Sequence, residues 1–85
     1  MRIPMSIVIA AFASSAFASP KCTTEPREKW ISEAAMRAKA EAAGHKVEVF
    51  KVTKGGCYEI YGRDAAGKRI EIYFNPMSGD VIQHS

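Results

Sequence analysis

The spacing of apolar residues along this chain falls into three regimes. Residues 3–13 are almost continuously apolar (Ile3, Met5, Ile7, Val8, Ile9, Ala10, Ala11, Phe12, Ala13) behind a positively charged start, Met1-Arg2. Residues 32–43 are rich in alanine, with an apolar face made mostly of it. From Val47 onward, apolar and polar residues alternate in short runs separated by glycine-containing turns. These three regimes predict an export leader, a helix and a β-meander.

The leader ends in small residues, and Ala16-Phe17-Ala18 has the small-x-small form of a signal peptidase site. Cleavage after Ala18 leaves Ser19 as the first residue of a 67-residue mature chain. The apolar stretch falls short of the roughly 20 residues that span a bilayer. An uncleaved membrane anchor is the rival reading. A lipoprotein would need a small residue before Cys22, where Lys21 stands. The division expected is therefore a signal peptide over 1–18, an N-terminal arm over 19–31 and a folded domain over 32–85, with no membrane span after cleavage.

The arm contains Pro20 and Pro26, with room for one helical turn after Pro26. Ser32 is a good N-cap, Glu33 suits the positive end of the helix dipole, and Ile31 with Met36 has hydrophobic-staple spacing. Six alanines favour helix and Gly44 is a natural stop, so the helix is expected over 32–43. Val47 and Val49 open a first strand, which Phe50 and Val52 continue with a bulge between. After the Lys54-Gly55-Gly56 turn, residues 57–62 form a second strand. Asp64-Ala65-Ala66-Gly67 is a hairpin loop, residues 68–75 a third strand, and Val81-Ile82 a short closing strand or tail.

The predicted fold is α+β: one helix on a three- to four-stranded antiparallel meander. Alternation assigns Tyr58, Ile60, Ile70, Ile72 and Phe74 to the helix-covered face. Glu59, Tyr61, Glu71 and Tyr73 then share the other face, expected to be an open polar-aromatic surface. Cys57 lies on that face, so a bond to Cys22 would draw the arm, with Trp30, across one end of the sheet.

Cysteine count changes the picture most. A domain of this size buries a modest core and is marginally stable without help. Two cysteines in an exported chain read as a disulfide, Cys22–Cys57. The alternatives are a redox pair, for which the close Cys-x-x-Cys spacing is absent, or half of a metal site. Charge changes it least. The chain has 12 basic and 9 acidic residues, and loss of Arg2 with the leader leaves 11 against 9. The signs are interspersed, unlike the basic stripe with aromatic platforms that nucleic-acid binding requires.

Candidate chemistry is sparse. Glu59 and Glu71 could lie side by side and bind a cation or act as acid and base. On a flat, exposed sheet they are expected instead to be neutralised by Arg63, Lys68, Arg69 or water, with no cleft to shift their pKa values. His45 and His84 would have to converge with a carboxylate to hold a metal. Ser78 and Ser85 have no base partner. Trp30 reads as a core or arm anchor, and Tyr61 and Tyr73 as cross-strand partners or part of a recognition surface. No catalytic residue, metal ligand or cofactor is assigned, and the chain does not read as an enzyme.

Taken together, Cys22, Trp30-Ile31-Ser32, the helix ending at Gly44, Gly56-Cys57-Tyr58-Glu59-Ile60-Tyr61, Asp64-x-x-Gly67-Lys68-Arg69-Ile70-Glu71 and Asn75-Pro76-x-x-Gly79-Asp80-Val81 form an ordered set. In order and spacing this set resembles the PepSY domain family, in particular small exported bacterial proteins made of one such domain. The resemblance covers nearly all the mature chain; His45 departs from it where an aromatic tyrosine is expected. It implies a helix packed on an antiparallel sheet. It also implies a protein-binding module with a peptidase-inhibitory or regulatory role, its partner an exported peptidase or another periplasmic protein. The implied location is the periplasm or the secreted medium. The alternative function is a periplasmic sensor domain for a small ligand or cation.

Overall fold

The computed structural model describes residues 19–85, and the leader and its cleavage site lie outside them. A short 3-10 turn, Arg27–Lys29, precedes helix α1, Glu33–Ala42. Four strands follow: β1, Lys46–Val52; β2, Tyr58–Arg63; β3, Arg69–Phe74; and β4, Val81–His84. They pair antiparallel in chain order β1-β2-β3-β4, so the α+β meander is complete with four strands.

Local chemistry sets the ends of α1. The Ser32 hydroxyl accepts from the Ala35 amide at 3.1 Å, satisfying one of the donors a helix start leaves orphaned. Ile31 and Met36 both pack into the core, which closes the staple. At the far end the His45 amide donates to the Ala40 carbonyl and the Gly44 amide to that of Glu41, the paired bonds of a Schellman stop.

The core lies between α1 and one face of the sheet. Met36, Ile60 and Ile72 are fully buried there, with Ala40, Tyr58, Ile70 and Phe74 around them and Trp30, Ile31, Val47 and Phe50 at the margin. The five sheet residues expected on this face are all present. Alanine at position 40 lets the helix backbone approach the sheet closely. The Tyr58 hydroxyl donates to the Ile31 carbonyl at 2.7 Å, and the Ile31 amide donates to the Pro76 carbonyl at 2.8 Å. One residue of the arm is thus tied to β2 and to the β3–β4 turn.

The bulge in β1 falls earlier than the sequence suggests. The register shifts between Val47 and Val49, so Val47 and Phe50 face the helix while Val49 turns outward and Val52 is also partly exposed. Opposite the bulge stands Gly62, where any Cβ would overlap the Lys46 carbonyl oxygen.

Candidate functional site

Cys22 and Cys57 form the expected disulfide, with Cα atoms 5.1 Å apart. The bond is one of several contacts holding the arm to the end of the second face. The Cys22 amide donates to the Gly55 carbonyl at 2.9 Å, and the Pro20 carbonyl oxygen lies 3.3 Å from the Cys57 sulfur. Gly56 has φ of +77°, and a side chain there would overlap the Thr23 carbonyl. The turn is therefore glycine because the arm backbone presses against it. Trp30 anchors the next stretch, its ring edge-on to Tyr58 at 5.3 Å and its Nε1 donating to the Glu25 carbonyl at 2.9 Å.

The structure brings Glu59, Tyr61, Glu71 and Tyr73 together on this face as a checkerboard. Register sets Glu59 opposite Tyr73 and Tyr61 opposite Glu71, so the two glutamates are diagonal neighbours with an aromatic ring beside each. Lys51 and Val49 of β1 oppose Glu59 and Tyr61 on the other side. Ser85 closes the row beyond Glu71 through a pair of 2.9 Å backbone hydrogen bonds.

This face is not the open surface expected. Glu59 is only 6% exposed and Tyr73 only 8%, while Tyr61 and Glu71 are half-buried. The arm crosses beside the two tyrosines, with the Ser19 side chain within hydrogen-bonding reach of Tyr73. Nor do the expected cations neutralise the pair. Arg63 is engaged with Glu48 at 3.6 Å and with the Gly67 carbonyl at 3.1 Å. The base acting on Glu59 is Lys51, whose ammonium stands 5.2 Å from the centre of the Tyr61 ring.

The electrostatics follow. Burial pushes the Glu59 carboxyl up, but hydrogen bonding from Glu71, Tyr61 and Tyr73, with the charge of Lys51, more than offsets this and holds it below the ordinary carboxylate range. Glu71 is raised by its hydrogen bond to Glu59, by burial and by repulsion from the same charge. Glu59 therefore ionises first and Glu71 keeps its proton longer. Tyr61 is raised by its hydrogen bond to Glu59, and Tyr73 first by burial and then by Glu59. Within this cluster Glu59 Oε2 is buried without a hydrogen-bond partner. A groove of about 500 Å³ opens alongside, lined by Glu48, Val49, Tyr61, Arg69, Glu71 and Ser85.

The two histidines do converge. Their rings meet edge-on, with centres 5.9 Å apart, because the register of β3 with β4 puts His84 opposite Ile72 on the helix side. No carboxylate joins them, and no cluster of three His, Cys, Asp or Glu able to hold a metal occurs among the described residues. No helix among those residues is long and apolar enough to cross a membrane.

A single helix on a four-stranded meander, with a disulfide-bonded arm across one end of its second face, defines a small α+β module. The chain belongs to the PepSY_2 family, described as peptidase propeptide and YPEB domain, whose model matches residues 3–85. No curated protein and no solved structure matches it.

Proposed function

We propose that the chain is an exported, non-catalytic protein-binding module that engages a peptidase in the periplasm or outside the cell and restrains it. Its leader is removed after Ala18. The family description supplies the partner class, and the disulfide fits an oxidising compartment. The observation that carries the mode of binding is the outer edge of β1. Among the described residues this seven-residue strand pairs only with β2, leaving its other edge without a strand, and Val49 and Val52 stand exposed along it at 43% and 39%. Such an edge accepts an extended segment of a partner, with backbone hydrogen bonds giving affinity and side-chain pockets giving choice. The lysines at 46 and 51 keep the same edge from pairing indiscriminately.

The test is inhibition of exported peptidases by the purified domain, combined with hydrogen exchange. Binding slows exchange of amides in Lys46–Val52, and Val49→Lys weakens it. A domain that neither inhibits nor captures any exported peptidase ends this reading.

One observation favours a second reading, a cation sensor built on Glu59 and Glu71: the unpartnered Glu59 oxygen. Calorimetry with divalent cations decides it, since absence of heat and of any change in Tm removes it.

A further inference from the structure

An oxygen of a buried carboxylate without a partner is costly, and native proteins fill such positions with a proton donor or a cation. Glu59 Oε2 is in that condition, on a side chain 94% removed from solvent. The groups that face it can be enumerated. Tyr61 lies on its own strand, Glu71 and Tyr73 on β3 and Lys51 on β1, while Ser19 of the arm reaches the neighbouring Tyr73. Lys51 is drawn to the Tyr61 ring, and Glu71 adds a second negative charge.

The arm supplies what is missing. Three contacts fix its path: the disulfide, the Cys22 amide on Gly55 and the Pro20 carbonyl against Cys57. Cys57 precedes Glu59 by two residues on the same face, and Ser19 precedes Pro20, so the chain reaches Tyr73 with its Ser19 side chain. In the precursor the Ser19 nitrogen is an amide with one hydrogen. In a chain cut after Ala18 it is a primary ammonium with three.

We infer that Glu59, with Glu71 and Tyr73, forms a binding site for a primary ammonium, and that its ligand is the α-amino group of Ser19 created by leader removal. The inference rests on the cleavage proposed above. Hydrolysis of the Ala18–Ser19 bond adds water across it, leaving a carboxylate on the leader and an ammonium on Ser19 beside the unpartnered oxygen. The ion pair locks the arm across the second face only in the mature protein. It also fills the position a metal cation would take, so it competes with the sensor reading.

Residues 19–85 contain the helix, the four strands, the core cluster and the disulfide described above, so the chain released at Ser19 from an N-terminal fusion is the fitting sample. NMR titration of the Ser19 amine is expected to show a proton affinity at least tenfold above that of an ordinary α-amino group, whose pKa is about 7.7. Glu59→Gln returns it to the ordinary value. One alanine added ahead of Ser19 displaces the amine without altering any side chain, and is expected to do the same. An amine whose pKa is raised by folding contributes fully below its unfolded pKa, and that contribution is lost as pH rises through the folded one. The Tm of the native chain therefore falls more between about pH 8 and pH 10 than that of the extended chain.

An ordinary amine pKa in the native chain overturns the inference. So does a raised one that Glu59→Gln leaves unchanged. Intact mass of the exported protein tests the cleavage separately: a different N-terminus refutes the cut after Ala18 while leaving the titration result to stand or fall alone.

Discussion

The helix-side face of the sheet excludes water with Met36, Ile60 and Ile72, whereas the opposite face buries Glu59 and Tyr73 almost as deeply using polar groups. The first face needs only volume and shape, since apolar burial is non-directional and close packing does the rest. The second needs each oxygen matched to a donor, and a covalent bond holds the arm that completes it. One face is therefore secured by many interchangeable contacts and the other by a few specific ones. The two should fail differently.

Removing the disulfide tests the second face most severely. Cys22 and Cys57 are 35 residues apart, and a loop of that length contributes about 4 kcal/mol in the chain-entropy model. Cys22→Ser with Cys57→Ser should lower the urea midpoint accordingly, a loss comparable to the whole stability expected of a domain this small. Ile72→Ala tests the first face. It removes a fully buried side chain and should cost about 3 kcal/mol by the same measurement, with the arm still in place. If the disulfide variant proves the milder of the two, the second face does not depend on the bond as argued.

Tyr58→Phe probes the seam between faces and arm. It leaves the ring packed but deletes the 2.7 Å bond to the Ile31 carbonyl, at a cost of about 1 kcal/mol in denaturant titration.

The smallest effect is a gain. Glu71 is raised, so its charged form is disfavoured in the fold and stability falls as pH climbs through the carboxylate range. Glu71→Gln in the alanine-extended chain should stabilise the fold at pH 7 by under about 1 kcal/mol, read as a higher Tm, and change nothing below about pH 4. In the chain beginning at Ser19 the gain shrinks, because the ammonium already offsets the charge. A gain equal in both chains would argue that Ser19 is not near the pair.

Much of the helix-side face was legible in the sequence. Ser32, Met36 and Gly44 mark α1 by chemistry that acts over a few residues, and the alternation of Ile70, Ile72 and Phe74 fixes which side of β3 is covered. The bulge in β1 was misplaced, because Val47 and Val49 alternate correctly in sequence and only pairing with Gly62 reveals the shift. The burial of Glu59 was missed for a related reason. It depends on diagonal neighbours across two strands and on an arm joined through Cys22. Local signals did exist: Gly55-Gly56 directly before Cys57 indicates a backbone in close approach, and Pro20 lies just before Cys22. The meeting of His45 with His84 depends on β4 register, which the two residues Val81-Ile82 do not specify.

Strand order has a consequence for the time course of folding. Each strand after β1 pairs with the one synthesised immediately before it, so the sheet can zip from hairpin to hairpin, with loops that close rapidly. The disulfide spans 35 residues and waits on oxidation, which takes seconds to hours. The meander and helix should thus be in place well before the arm is fastened. A pulse of thiol-blocking reagent early in refolding should trap a species with native β-structure and two free cysteines, its second face still open.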